Sequence, residues 1–126
     1  MTNLNEIYKC EICGNIIEVM HTGKGTLVCC NQDMKLQKEN TKEQEGKEKH
    51  IPVIEETKTG ILIKIGSIEH PMEKEHYIEF IEVLTKDKIL RKNLKPEQKP
   101  QAEFNIKKNE IIKIREYCNK HSLWTI

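Results

Sequence analysis

The residues best suited to chemistry in this 126-residue chain are its histidines and cysteines. Four of the five histidines and one cysteine lie in its second part: His50, His70, His76, Cys118 and His121. Imidazole and thiolate are ligands that redox-active first-row metals prefer. Five protein ligands would leave one position of such a metal open, and an open position is where a substrate can bind. If these side chains converge in space, they predict a catalytic metal centre.

The other four cysteines form a second candidate cluster. Cys10 and Cys13 make a Cys-x-x-Cys knuckle, in which Gly14 can adopt the positive φ that such a turn needs. The adjacent pair Cys29 and Cys30 follows after fifteen residues. Neighbouring residues of an extended strand point to opposite faces, so this pair must lie on a bend and the tetrahedral site should be distorted. The spacing alone also fits a structural zinc ribbon.

Composition excludes several classes of protein. The formal net charge is +1 although 33% of the residues are charged, so the chain lacks the basic footprint of a nucleic-acid-binding protein. No apolar run approaches the roughly 18 residues of a membrane span, and residues 1–7 do not resemble a signal peptide. We therefore expect a cytoplasmic protein with no membrane partner. In that reducing compartment, cysteines are more often metal ligands than disulfides.

The elements that must position these residues divide the chain into three parts. Residues 1–36 form a unit too small to fold without a staple such as a metal. Residues 37–49 are a charged linker, and residues 50–126 form a second domain. Its apolar patterns are those of strands, at 51–57, 61–66, 76–84, 89–94, 102–106 and a final one at 112–118. Helical spacing also fits 76–84, but β-branched and aromatic residues favour a strand there.

About seven short strands at regular spacing predict an antiparallel sandwich of immunoglobulin-like architecture, so the fold class is mainly β. Within it, Ile61, Ile63 and Ile65 should share one face, and Pro52 confines its strand to an edge or a start. Lys108 and Asn109 are expected to form a turn.

Taken together, these motifs resemble the desulfoferrodoxin family, the two-iron superoxide reductases. The resemblance covers nearly the whole chain. It is carried by Ile7-Tyr8-Lys9-Cys10, Cys13-Gly14-Asn15-Ile16, Leu27-Val28-Cys29-Cys30, Glu48-Lys49-His50, His70-Pro71-Met72-Glu73 and Arg115-Glu116-Tyr117-Cys118-Asn119-Lys120-His121.

The resemblance implies two iron ions per chain. A desulforedoxin-like first domain would hold one with Cys10, Cys13, Cys29 and Cys30. The second domain would hold the other with His50, His70, His76 and His121 in a plane and Cys118 as the axial ligand. The implied activity is the one-electron reduction of superoxide to hydrogen peroxide. Family members with an intact first centre are homodimers, and rubredoxin is their common electron donor.

The same resemblance implies roles for two residues beside His50. The ammonium group of Lys49 can attract the superoxide anion and donate a hydrogen bond to the developing peroxide. The residue that matches Glu48 ligates the oxidised iron once peroxide has left. Without the resemblance, Glu48, Lys49 and His50 could simply be the end of the charged stretch. His21 has no counterpart in the ligand set, and we interpret it as a solvated turn residue.

Two other functions fit parts of the sequence. A non-enzymatic electron carrier could use both centres, but an open metal position is unsuited to that role. A zinc-stapled binding module would leave the four histidines and Cys118 unexplained.

Overall fold

A computed structural model describes residues 1–41 and 47–126, with residues 47 and 48 described by their backbone alone. The chain divides into two compact units, Met1–Lys38 and Glu39–Ile126. Regular structure is almost entirely β, and the helical segments of the described residues are α1, Lys47–His50, and a 3₁₀ turn, Lys108–Glu110. No helix in the described ranges is long and apolar enough to span a membrane. The predicted mainly β fold is confirmed.

The first unit consists of very short strands around few buried side chains. Its strands are β1 Ile7–Lys9, β2 Ile16–Glu18, β3 Val28–Cys29, β4 Gln32–Asp33 and β5 Lys35–Leu36. They form a three-stranded sheet in the order β2-β1-β5 and a separate β3–β4 hairpin. Among the described residues of this unit, the buried side chains are Thr2, Ile7, Cys10 and Val19. So little buried surface cannot fold a unit of this size without a further constraint.

The second unit is a sandwich of two antiparallel sheets. Its strands are β6 Pro52–Glu56, β7 Ile61–Ile65, β8 Ile78–Leu84, β9 Ile89–Asn93, β10 Gln101–Phe104, β11 Lys113–Cys118 and β12 Ser122–Thr125. One sheet has the order β10-β7-β6 and the other the order β12-β11-β8-β9. A three-stranded sheet and a four-stranded sheet packed together give the predicted immunoglobulin-like architecture.

The two sheets enclose one apolar core. Its buried members come from both sheets: Ile61, Ile63, Ile65, Ala102, Ile78, Ile81, Val83, Ile114 and Cys118, with Leu94 and Ile106 from flanking segments. The predicted inward face of β7 is confirmed, because Leu62 and Lys64 alternate with these isoleucines and are less buried. Pro52 opens the edge strand β6, as its missing N–H requires.

Three local predictions can be compared with this architecture. The strand interpretation of residues 76–84 is confirmed by β8. The strand expected at 112–118 is not the final one, because β12 follows it. That strand was missed because it has four residues and two consecutive buried side chains, Leu123 and Trp124, rather than an alternating pattern. The turn expected at Lys108 and Asn109 is part of the 3₁₀ turn.

The pairing of β8 with β11 fixes the strand that ends at Cys118. Arg115 lies opposite Glu82, and its guanidinium group donates two hydrogen bonds to that buried carboxylate, at 2.7 and 3.1 Å. Two pairs further along, the rings of Tyr117 and Phe80 stack with centroids 5.7 Å apart. Directly opposed pairs of this kind set the register of a sheet.

The register then shifts by one residue, so that Cys118 faces Ile78. The extra residue of this β-bulge is on β8, and Cys118 stays on the same core face of β11 as Ile114. Bulges are common beside functional sites.

Candidate metal centres

The structure brings the five predicted ligands of the second unit together. The potential ligand atoms of His50, His70, His76, Cys118 and His121 all lie within 4.8 Å of one another. The histidines form a closed ring in the order 50-70-76-121, with centroids of neighbouring imidazoles 4.7 to 4.9 Å apart. Neighbouring rings meet edge to face, at interplanar angles of 71 to 86°. This arrangement points four nitrogen atoms at a common centre.

The nitrogen spacing tests whether a metal fits. His50 Nε2 lies 3.0 Å from His121 Nδ1 and 3.2 Å from His70 Nε2. Nitrogen atoms bound to one metal at right angles, each about 2.1 Å from it, would lie about 3.0 Å apart. His76 Nε2 is buried and has no hydrogen-bond partner among the described residues. A buried imidazole nitrogen without a partner is costly unless a metal binds it, so this donor set fits a metal ion.

The thiol lies on the protein side of this ring. Cys118 is fully buried and belongs to the apolar core, whereas His121 is exposed. Burial raises the pKa of Cys118, and hydrogen bonds from the backbone amides of Lys120 and His121 oppose that shift. A bound cation is what would keep this thiol ionised. No other His, Cys, Asp or Glu of the described residues joins these five as a possible ligand.

The tautomer of His70 is fixed by its own loop. Its Nδ1 lies 2.7 Å from the carbonyl oxygen of Pro71, so Nδ1–H donates and Nε2 is left as the ligand atom. Burial lowers the pKa of His70 to about 4, although the hydrogen bond to Pro71 opposes the shift. The imidazole is therefore neutral at pH 7, as a metal ligand must be.

The side chain of Asn119 joins two segments that carry ligands. Its Oδ1 accepts a hydrogen bond from the amide of Tyr77 at 2.9 Å, and its Nδ2 donates to the carbonyl oxygen of Glu75 at 3.0 Å. These bonds attach the loop that carries His76 to the β11–β12 turn. His76 itself is held between them by a bridge to Glu73.

The two residues predicted to act on the substrate differ in what the structure describes. Lys49 is exposed and precedes the buried His50 at the end of α1. Burial lowers the pKa of His76, and the positive charges of Lys120 and Lys49 contribute in the same direction. Both lysines are therefore within electrostatic range of the ring. The side chain of Glu48 lies outside the described part of the chain.

Glu116 is buried next to this centre. It lies on the core face of β11, two residues before Cys118, and neither carboxyl oxygen has a hydrogen-bond partner among the described residues. Burial raises its pKa well above the usual value. Burial thus favours the uncharged acid over the carboxylate at this position.

The four cysteines of the first unit also converge. Their sulfur atoms lie within 4.8 Å of one another, and none of them is in a disulfide. Cys13 Sγ is 3.6 Å from Cys29 Sγ, which is 3.9 Å from Cys30 Sγ. Sulfur atoms about 2.3 Å from a tetrahedral metal would lie about 3.8 Å apart. This cluster also fits a metal ion, and exposed His21 belongs to neither group.

The expected bend at the cysteine pair is a hairpin turn. Cys30 and Asn31 connect β3 to β4 with φ values of 53° and 61°. Two consecutive residues with positive φ define a type I′ turn, the common two-residue hairpin. The turn is what allows adjacent cysteines to face one centre.

The pKa values of these thiols show why the cluster needs a cation. The backbone amide of Cys13 lowers the pKa of Cys10 to about 6, whereas hydrogen bonds with the thiols of Cys13 and Cys29 raise the pKa of Cys30 to about 12. One thiolate thus suppresses ionisation of its neighbours. Four thiolates can coexist only around a positive ion.

Comparison with known proteins places the chain in a family. The family model described as desulfoferrodoxin matches residues 41–126, and the model described as desulfoferrodoxin, N-terminal domain, matches residues 2–37. A desulfoferrodoxin of Nitratidesulfovibrio vulgaris is 52% identical over 124 residues, which are 98% of this chain and 97% of that relative. The chain belongs to the desulfoferrodoxin family. The Cys₄ and His₄Cys groups fit the two iron sites of desulfoferrodoxin.

Two further comparisons cover the parts of this desulfoferrodoxin family member. A desulforedoxin of Megalodesulfovibrio gigas is 53% identical over 34 residues, 27% of this chain and 92% of that relative. The solved superoxide reductase of Treponema pallidum has a TM-score of 0.77 at 25% identity, with 96% of this chain and 95% of that chain covered. The first unit is thus desulforedoxin-like, and the whole chain has a superoxide reductase fold.

Three residues of the site were not singled out from the sequence. Asn119 and Lys120 lie inside the stretch from Cys118 to His121, and Trp124 follows three residues later. Their position close to two ligands was a signal, but their contacts depend on loops that meet only in the folded chain.

Proposed function

We propose that this chain is a superoxide reductase that converts superoxide to hydrogen peroxide at iron held by the His₄Cys group. The observation that carries the proposal is the closed ring of four imidazoles with the buried Cys118 thiol beside it. Iron bound there supplies the one-electron reduction, in which superoxide takes up one electron and two protons.

The ligands have distinct roles in this proposal. His50, His70, His76 and His121 would hold the ion as neutral donors, and Cys118 would be the single anionic donor. Four neutral ligands and one thiolate leave a divalent ion with a net positive charge of about one, which attracts an anion to the exposed side. A closed coordination shell would suit an electron carrier better, so the open side favours catalysis over that alternative.

Two side chains complete the proposed mechanism. The ammonium group of Lys49 attracts superoxide to the exposed side and donates a hydrogen bond to the reduced product. The carboxylate of Glu48 would be a further ligand of the oxidised ion and would exclude other anions. The exposure of Lys49 and its electrostatic effect at His76 support the first role. The family resemblance supports the second.

The first unit has a different role. We propose that residues 1–36 hold a second iron through Cys10, Cys13, Cys29 and Cys30, that residues 37–49 are a linker, and that residues 50–126 carry the chemistry. The electron donor is a small protein such as rubredoxin. Five cysteines outside any disulfide are in keeping with a reducing, cytoplasmic location.

We also propose that the protein is a homodimer formed by the first unit. Tyr8 pairs with Ile17 on one side of β1 and with Leu36 on the other, so the three side chains form a row on one face of the sheet. Ile17 and Leu36 are 37% and 40% exposed. Ile17→Lys should therefore yield a monomer in sedimentation equilibrium. Ile112→Lys, at an exposed isoleucine of the second unit, should leave a dimer.

Stopped-flow mixing of the reduced protein with superoxide tests the activity. We expect one hydrogen peroxide for each superoxide consumed and no dioxygen. Dismutation would give one dioxygen and one peroxide for every two superoxide ions, and would refute the proposal. An electron carrier would leave superoxide to decay at its spontaneous rate. His76→Ala should abolish the reaction, whereas His21→Ala, at the histidine outside both groups, should not.

A further inference from the structure

Trp124 contacts two of the proposed iron ligands at once. It is the single tryptophan of the chain, lies on β12 and is 3% exposed. Its indole ring is stacked on the imidazole of His50, with centroids 4.7 Å apart and an interplanar angle of 15°. Its Nε1–H donates a hydrogen bond to the carbonyl oxygen of His121 at 2.9 Å. One buried side chain thus joins ligands that are 71 positions apart in sequence.

The stacking restricts the ring of His50. His50 meets the imidazoles of His70 and His121 edge to face, whereas Trp124 lies parallel to it. A parallel ring at this distance occupies the space into which the imidazole would swing if it rotated about its side-chain bonds. Because Trp124 is buried and held by its own strand, that space is not easily vacated.

The hydrogen bond restricts the backbone of His121. This ligand lies on the turn between β11 and β12, is exposed, and uses Nδ1, the ring nitrogen nearer the main chain. The position of Nδ1 therefore follows closely any movement of the backbone at residue 121. The indole N–H fixes the carbonyl oxygen of that residue and so limits this movement.

We propose that Trp124 is a positioning residue that holds His50 and His121 at the spacing an iron ion requires. The inference rests on the ligand assignment in the proposed function. Partners of metal ligands that orient them in this way typically change metal affinity by about 10- to 100-fold when they are replaced. Trp124 should thus control how long iron is retained, without contacting it.

Iron release from the full-length, iron-loaded protein tests the role. Trp124→Phe keeps a ring against His50 but removes the N–H donor, and Trp124→Leu removes both contacts. Leu123→Ala is the matched control, because Leu123 is equally buried on the same strand but its side chain points to the other face. Each reduced protein is mixed with a ferrous-iron chelator well below its unfolding temperature. After reoxidation, the visible bands of the Cys₄ centre separate iron lost there from iron lost at the histidines.

We expect Trp124→Leu to release the histidine-bound iron roughly tenfold faster than wild type, and Trp124→Phe to lie between them. Leu123→Ala should release it at the wild-type rate even though its unfolding temperature is lower. The visible spectrum of the oxidised histidine centre should shift in Trp124→Leu and not in Leu123→Ala. Equal release rates and spectra for these two variants would overturn the role of Trp124. A wild-type protein that binds no iron at the histidines would instead refute the ligand assignment itself.

A measurement on wild type covers the case in which Trp124→Leu does not fold. Because the chain has one tryptophan and its ring is stacked on His50, its fluorescence should respond to metal at that site. Protein stripped of the histidine-bound iron is titrated with Co²⁺. We expect the fluorescence to fall in proportion to the metal bound, up to one equivalent at the histidines. Fluorescence that is unchanged at full occupancy would contradict the contact.

Discussion

The charge of Lys49 acts through space on a substrate that is itself an anion. Its ammonium group is exposed beside the proposed open side, so it raises the local concentration of superoxide without being consumed. We expect Lys49→Ala to slow superoxide capture by roughly tenfold, within the range of electrostatic steering. The variant's rate should also depend less on ionic strength, because less attraction is left for salt to screen. Stopped-flow rates over a series of salt concentrations measure both effects.

Lys86→Ala is the matched control for this experiment. Lys86 is exposed in the turn after β8, at the opposite end of that strand from Ile78, and the seven-residue strand spans about 20 Å. Its loss removes the same charge far from the site. Equal slowing in the two variants would mean that net charge, rather than the position of Lys49, sets the rate.

Among single residues, the sequence predicted the candidate ligands better than the residues that position them. Histidine and cysteine have few common roles in such motifs, so residue type and spacing identified all nine candidate ligands. Asparagine and tryptophan have many roles in proteins. Their residue types therefore do not indicate that Asn119 joins two loops or that Trp124 stacks on His50. Those contacts exist only because β12 lies beside β11 in the folded sheet.

Among the elements, the turn at Cys30 and Asn31 is the one whose geometry the first centre depends on most directly. Asn31 adopts the left-handed conformation at φ 61°, which glycine adopts freely and a β-branched residue adopts only with strain. Asn31→Val should cost about 1–3 kcal/mol and move Cys30 away from the other sulfur atoms. The visible bands of the Cys₄ centre should then be lost faster on exposure to a chelator.

Asn31→Gly is the conservative counterpart of that variant. It should retain the bands as long as wild type, because the second position of a type I′ turn favours glycine. If Asn31→Val kept the bands as long as Asn31→Gly, the position of the adjacent cysteines would not depend on this turn. The thiolates would then be held by the metal alone.

Some strands could be predicted from the sequence pattern, and others could not. Strand β7 could be predicted because three buried isoleucines alternate with less buried residues. Strand β12 could not, because Leu123 and Trp124 are both buried: one packs on each face of a strand that is covered on both sides. Lys35 and Leu36 form β5 only because β1 offers an edge for pairing.

For the whole molecule, the two centres should be separable. The first unit has only a few buried side chains, whereas the second has a core drawn from both sheets. We expect Cys13→Ser to remove the visible bands of the Cys₄ centre and to lower the unfolding temperature of the first unit. The rate of superoxide reduction should change less than about twofold, because Cys13 belongs to the separate unit 1–38. Absorption spectroscopy, calorimetry and stopped flow measure the three effects.

Two results would contradict this division of roles. A large loss of superoxide reduction in Cys13→Ser would show that the first centre takes part in turnover. Stoichiometric zinc and no iron in the first unit, in protein produced with ample iron, would show that this cluster is a zinc staple.

The ring of imidazoles also affects how easily β12 separates from its sheet. His50 precedes β6, and His121 lies on the turn that leads into β12, so β12 cannot separate from the sheet without breaking the ring. With iron at about ten times its dissociation constant, such an opening should become roughly tenfold rarer. The amide hydrogen of Trp124, which forms a hydrogen-bonded pair with Glu116 of β11, should then exchange with deuterium about tenfold more slowly in the iron-loaded protein than in the metal-free protein. Amides of edge strand β9, which carries no ligand, should exchange equally in both, and a single bound ion would thus decide which strand of the sandwich opens first.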